Sequence, residues 1–360
     1  MRLDLLTVAL ACAAACSTAA PALAHHGSSV ARVGGGASMA WTPASASVPP
    51  PRLDLGVSYS VNYFGRTLEG HSSVGGDGLG KVLVHLVTPS ARLALRHGTT
   101  VGVALPVGTV RTYPPGGATS TSGGLGDLSA FVSQDLGRLW GGGGAHGHAR
   151  HPHAHGTSHH AHHHERAFGL ALRAGLTAPT GRYRPAGDLS VTDVHPGPGG
   201  SLMPHTFNSQ TSLGAGVWAI AYGADAWWRA HPRVRLSAGL DASSPVSTTS
   251  DDIRWGTDLT GSVGATLELV HDAVWATVSA DARWHARDRI PVVSPVTDET
   301  THERAGSRVE LGAAAGLSTL FARRLSCSLS VHVPYWQRAG GIQLVETVSG
   351  NARCTVGIGL

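Results

Sequence analysis

After residue 24 the chain has no run of 18 apolar residues. That excludes helical membrane spans, which need about 20. Charge is scarce as well. Asp, Glu, Lys and Arg make up 14% of the 360 residues, against about 25% in soluble domains. The formal net charge of +4 is small. The arginines are scattered, so no basic stripe offers itself to nucleic acid. The chain also lacks a G-x-S-x-G elbow, a phosphate loop and an HExxH helix. Without them no enzyme is expected, and no cofactor is required.

What is present is alternation. Arg52 to Phe64 reads RLDLGVSYSVNYF, with Leu53, Leu55, Val57, Tyr59, Val61 and Tyr63 apolar and small or polar residues between them. Period two is the mark of a strand with one apolar and one wet face. The run is long enough for a tilted strand to cross a bilayer. Alternating faces cancel in any hydropathy average, so a transmembrane β-barrel fits the neutral composition.

The same pattern predicts strands at Lys81–Arg96, Thr99–Val110, Gly124–Leu136, Arg166–Ala178, Thr211–Arg229 and Arg233–Ser243. It continues at Arg254–Val270, Val274–Ala286, Ser307–Phe321, Arg323–Tyr335 and Asn351–Leu360. Pro89 argues against Lys81–Arg96 as a central strand. With Arg52–Phe64 the total is twelve, the even number that bacterial barrels need.

Short gaps (His97-Gly98, Ala230 to Pro232, His271 to Ala273, Ala322) alternate with long ones. The long ones are Gly65–Gly80, Arg111–Gly123, Pro179–Gln210, Ser244–Ile253, Arg287–Gly306 and Trp336–Gly350. In outer-membrane barrels short turns face the periplasm and long loops face outside. A sandwich has no reason to sort its loops this way. The prediction is an all-β, antiparallel up-and-down barrel over residues 52–360, in the bacterial outer membrane with lipid around it.

The faces support this. Val274, Ala276, Val278, Ala280, Ala282 and Trp284 share one side, and Thr277, Ser279, Asp281, Arg283 and His285 the other. Charge facing lipid is costly. The lumen is therefore expected to hold Asp54, Asp127, Arg173, Arg233, Arg235, Asp241, Asp258, Glu268, Asp281, Arg283, Arg308, Glu310 and Arg353. These groups either pair and fill the interior or form a selectivity filter. Barrels near eight strands fill, and those of sixteen or more leave a channel; twelve lies between. Trp227, Trp228, Trp284, Phe321, Tyr335 and Trp336 sit near strand ends, where aromatic belts occur.

Met1 to Ala24 reads as a secretory signal: Arg2, an apolar core over Leu5 to Ala15, and an A-x-A site at Ala22-Leu23-Ala24. A lipoprotein reading through Cys16 meets a poor lipobox at Ala13-Ala14-Ala15. Cleavage would leave His25 and His26 at the new terminus. There a free amine and imidazoles suit Cu(II), or form a plain processing scar. Residues 25–51, rich in Gly, Ala, Ser and Pro, read as a flexible tether or a segment folded into the barrel mouth.

At GLGDLSAFVSQDL (Gly124–Leu136) and LRAGLTAPTGRY (Leu172–Tyr183) the chain resembles the phenol meta-pathway degradation-like family of bacterial outer-membrane proteins. PYWQRAGGIQLVE (Pro334–Glu346) is similar to that family's last hairpin. The likeness spans most of the mature barrel. It implies an outer-membrane barrel with a transport role and no agreed catalytic residue.

The usual pattern of that family lacks the histidine tract at residues 141–165. His146, His148, His151, His153, His155, His159, His160, His162, His163 and His164 are separated mainly by Gly, Ala and Pro, so no fixed fold is expected. The tract fills a gap that should be a short periplasmic turn. Imidazole suits Zn, Cu, Ni and Co, and flexible spacing lets two to four rings meet on one ion. With Glu165 the sole nearby carboxylate and no Cys, a rigid structural site is not expected. A tolerated insertion in a loop is the bland alternative.

Cys327 and Cys354 both lie on apolar faces, and folding about Gly340-Gly341 would set them opposite each other. In an oxidising compartment a disulfide is expected; two buried thiols are the alternative. The expected function is a channel or transport component for a small-molecule or metal cargo, handling or regulated by transition metal through the tract. The alternative is a structural or metal-buffering barrel that transports nothing.

Overall fold

The computed structural model describes residues 51–73, 80–113, 118–137, 167–181, 194–196, 202–204, 213–250, 252–293, 300–321 and 324–360. The leader, His25 and His26, the tether up to residue 50 and the histidine tract lie outside these residues.

Twelve antiparallel strands close into a barrel. They are β1 (Arg52–Gly70), β2 (Lys81–Ala94), β3 (Thr99–Ala104 with Val107–Tyr113), β4 (Ser120–Leu125 with Leu128–Asp135), β5 (Phe168–Ala178) and β6 (Ala219–His231). After them come β7 (Val234–Pro245), β8 (Asp258–Val270), β9 (Val274–His285) and β10 (Arg308–Phe321). The run Leu325–Gly359 folds back on itself to give β11 (325–339) and β12 (342–359). The ring closes where β12 pairs with β1, Val57 opposite Cys354. Closure removes the open sheet edges that a bilayer cannot satisfy.

Sidedness follows the alternation. Val278 and Val263 are 60% and 59% exposed, pointing outward from mid-strand. Their chain neighbours Thr277, Ser279 and Ser262 turn inward. Trp228 is outward, but Trp227 turns inward under Arg235, whose guanidinium carbon lies 4.4 Å from the ring centroid. An inward Trp is not a belt residue, so the period, not the residue type, sets its side.

Pro89 does sit inside β2, opposite Val57. Its neighbour β3 is interrupted at Leu105-Pro106, between the pairs Val87↔Val107 and Ser90↔Ala104. A residue without an N–H is tolerated where the next strand's ladder is itself broken. On the other side of β3, β4 is interrupted at Gly126-Asp127. Among the described residues, the segment Ser120–Leu125 pairs with β3, and the ladder to β5 starts at Leu128.

Two expected loops are ladder instead. Trp336–Gly350 continues β11 and β12 beyond the barrel, with Arg66 to Glu69 opposite Val345 to Ile342. Arg111–Gly123 is largely the hairpin of β3 and β4. In Arg287–Gly306, Asp288–Val293 pairs with Thr300–Ala305 as a separate ribbon. Conversely, the expected strand Thr211–Arg229 begins only at Ala219. The short turns are as tight as their lengths imply. Leu95 N donates to Thr99 O at 2.8 Å, and Gly98 takes φ +81 there, a conformation open to glycine.

An apolar cluster fills part of the interior toward the long-loop end. It comprises Phe64, Val82, Val84, Leu86, Val110, Leu344 and Leu213, the last from the β5–β6 connection.

Candidate functional site

The inward-facing charges are the candidate site, and they meet one another. Arg52 Nε lies 2.9 Å from Asp54 Oδ1, both buried. Arg173 Nη2 reaches Asp241 Oδ1 at 2.7 Å and Asp225 Oδ2 at 3.0 Å, tying β5, β6 and β7 together. Arg92 lies over the Phe131 ring, 5.6 Å from its centroid.

The largest network joins β9 to β12. Arg283 Nε contacts Asp281 Oδ2 at 2.6 Å, and its Nη1 lies 3.0 Å from Glu310 and 3.6 Å from Glu346. His332 bridges Asp281 and Glu346, 3.0 Å from each. Gln337 donates to Glu310 Oε2 at 2.7 Å and accepts from Arg66 at 2.6 Å. Ser349 donates to Glu346. A second imidazole, His285, is held between Asp258 at 2.8 Å and Asp288 at 2.9 Å, and Asp288 also accepts from Gly256 N. Buried charges persist when paired and hydrogen-bonded in this way.

Asp127 is different. It lines no strand face. From the break in β4 it accepts from Gly181 N at 2.9 Å and Ala215 N at 2.6 Å, and it is 1% exposed. Beside it Thr180 Oγ1 accepts from Leu128 N at 2.8 Å. One carboxylate thus holds both ends of the β5–β6 connection. Gly181 and Gly214 are packed so closely on Asp127 that a Cβ on either would fall within 3 Å of Oδ1. Trp255 Nε1 donates to Ala215 O at 3.0 Å, and Ala215, Val217, Ile253 and Trp255 bury one another.

Asp54, Arg173, Arg235, Asp241, Asp258, Asp281, Arg283, Arg308, Glu310 and Arg353 occupy inward positions of their strands. Arg233 does not: it is exposed on the β6–β7 turn. The reading of Arg233 as a first strand residue placed it one step too early, because Pro232 and Arg233 are used to turn the chain. Glu268 sits at the short-turn rim, where its Oε1 accepts from Asp272 N at 2.6 Å and meets His271 Nδ1 at 3.0 Å. Cys327 and Cys354 are disulfide-bonded, with Cα atoms 4.1 Å apart, on the outward wall.

Sequence reasoning missed Asp225, His332, Gln337 and Glu346. His332 continues the inward row of Ser326, Ser328 and Ser330, so its signal was there. Glu346 and Gln337 lay in a segment read as loop.

Among the described residues, two groups have metal-ligand donors within 4.8 Å of one another: Asp281, Glu310 and His332 in the lumen, and Glu268, His271 and Asp272 at the rim. In the first the Arg283 guanidinium already stands among the donors as resident cation.

A search of the solved structures finds the COG4313 outer membrane channel from Pseudomonas putida F1, with a TM-score of 0.60 and 13% identity over 86% of this chain and 96% of that one. The fold is an outer-membrane β-barrel. The NanC porin matches at a TM-score of 0.39 with 7% identity, covering 86% of this chain and all of that one. The TodX monoaromatic hydrocarbon channel mutant matches at 0.38 with 13% identity, covering 95% and 100%. No family model and no curated protein matches the sequence. The barrel places the chain in the bacterial outer membrane.

Proposed function

We propose that this barrel is a narrow outer-membrane channel for small molecules, related to the phenol meta-pathway degradation-like transporters, and not a wide diffusion pore. The observation that carries the reading is the state of the inward groups. Arg173 is paired with Asp241 at mid-barrel and Arg283 with Glu310 toward the long-loop end, where Phe64, Val82, Val84, Leu86, Val110 and Leu344 make the neighbouring part of the lumen apolar. Such a lining favours weakly polar or apolar solutes over hydrated ions, because charges already paired and apolar side chains offer an ion little in exchange for its water.

The histidine tract joins β4 to β5 at the short-turn end, where it would gather Zn, Cu, Ni or Co ions in the periplasm. In this proposal the metal regulates or supplies the channel from that side. The test is conductance of the purified full chain in planar bilayers, with and without Zn(II), beside a variant lacking Ala145–His164. Small, infrequent openings that Zn(II) alters only when the tract is present are expected. No conductance at all would leave a structural, metal-buffering barrel. Large open-pore conductance would refute the narrow channel.

A further inference from the structure

The outward wall is apolar almost everywhere, but on three neighbouring strands it changes character at one level. On β2 the outward row runs Leu93, Ala91, Pro89, Val87 and then His85, Leu83, Lys81. On β3 it runs Val101, Val103, Val107 and then Thr109, Arg111. On β4 it runs Val132, Ala130, Leu128, Leu125 and then Gly123, Thr121. The register aligns these rows: Val87 pairs with Val107 and Val107 with Leu125, while Leu83 pairs with Arg111 and Arg111 with Thr121. All three strands therefore turn polar within one register step.

From Val101 to Val107 the apolar part runs about 20 Å along the strand, about 15 Å of height at the usual tilt, and so fits within the ~25 Å girdle of such barrels. The polar rows lie toward the long-loop end, where the outer leaflet's headgroups sit. At the boundary Tyr59 Oη and His85 Nδ1 are hydrogen-bonded at 2.9 Å on the outside of the barrel. Above it Lys81 and Arg111 are exposed, and Tyr113 supports Arg111, with the guanidinium 5.2 Å from the ring centroid. Lys81 is paired with Tyr113, two residues from Arg111, so the two cations are diagonal neighbours ~7–8 Å apart by sheet geometry. Among the described residues no acidic side chain faces outward on these strands. On the far wall Ile220, Leu259 and Trp284 stay apolar and exposed near the same end.

We propose that Lys81 and Arg111 form a binding site for the phosphate groups of the outer leaflet's glycolipid, with Thr109 and Thr121 beside them as hydroxyl donors. The occupant must be anionic and amphiphilic. Its phosphate meets the two cations while its acyl chains lie on the Val87–Val107–Leu125 rows below. A phosphorylated lipid A fits both demands, and the inference is independent of what the channel carries.

The test is titration of the full chain in detergent with bis-phosphorylated lipid A, followed by native mass spectrometry. Lys81→Gln with Arg111→Gln should weaken binding about thirty-fold, from ~1 kcal/mol per cation at a charged membrane surface at 1.4 kcal/mol per tenfold. Arg96→Gln, at the opposite rim, should leave it unchanged, and dephosphorylated lipid A should bind as weakly to the native chain as to the double variant. Folding of each variant is read from the heat-dependent gel shift. Equal retention of lipid A by the folded double variant, or equal retention of the dephosphorylated lipid by the native chain, would overturn the site.

Discussion

Asp127 and Ala215 are 88 residues apart in the chain, yet the carboxylate of one accepts a 2.6 Å hydrogen bond from the backbone of the other. The same carboxylate holds Gly181 N. The two N–H groups come from the start and the end of the connection between β5 and β6, so the latch fixes the stems of the longest outer loop against a break in the wall. Replacing Asp127 by Asn keeps the shape but leaves one oxygen where there were two. One N–H would lose its acceptor, at a cost of about 2 kcal/mol for a charge-assisted bond. The expected result is faster proteolysis between residues 182 and 212 in the folded barrel, with the strands intact by circular dichroism. Unchanged cleavage would mean that the other contacts of the stems suffice.

Arg283 stands among three carboxylates, those of Asp281, Glu310 and Glu346. Arg283→Met would leave them facing one another, with the His332 imidazole still in contact with two of them, Asp281 and Glu346. Removing one partner of a buried pair costs ~3–5 kcal/mol. Urea unfolding in detergent should show that loss. If instead stability holds and ion selectivity changes, the group acts on permeating ions and does not brace the wall.

How much of this could be read from the chain depends on where lipid imposes the pattern. In β9 every outward residue is apolar, so the strand, its faces and Asp281 and Arg283 were all legible. Above the membrane no such constraint applies. β11 and β12 run on through QRAGGIQLVETVSG with no clean alternation, and the ladder there reads as loop. Glu346 and Gln337 were lost with it. Asp127 was expected as a lumen charge, but it sits in the break of β4 and its partners there are the backbone N–H groups of Gly181 and Ala215, which carry no residue signature. The strand start at Arg233 was placed one residue too early, because alternation does not mark the residue at which a strand starts.

The disulfide joins residues 27 apart in sequence across the last hairpin. A closed loop of that size restricts the unfolded chain by about 3.5 kcal/mol in the chain-entropy account. Cys327→Ser with Cys354→Ser should therefore lower unfolding stability by a few kcal/mol and leave the folded barrel's conductance as it was. Reductant should have the same effect on the unfolded native protein. Since both sulfurs sit on the outward wall, reduction in the folded, lipid-embedded state should be slow. Rapid reduction there would place the bond in water and shift the girdle on β11 and β12.

The sidedness of the whole barrel can be tested at two positions on one hairpin. Val278 projects outward from the middle of β9, and Val270 from the short-turn end of β8, with 60% and 54% of their surfaces exposed. The cost of an outward Arg depends on depth: ~2–4 kcal/mol at the midplane and ~0–1 kcal/mol near the interface, where the long side chain reaches water. Val278→Arg should accordingly fold poorly into phosphatidylcholine vesicles, while Val270→Arg folds almost as the native chain does. In a soluble sandwich the two exposed sites would both be nearly neutral, because water would already cover them. Equal tolerance at the two positions would therefore sink the membrane placement, and with it the periplasmic side assigned to the histidine tract and the outer-leaflet level assigned to Lys81 and Arg111.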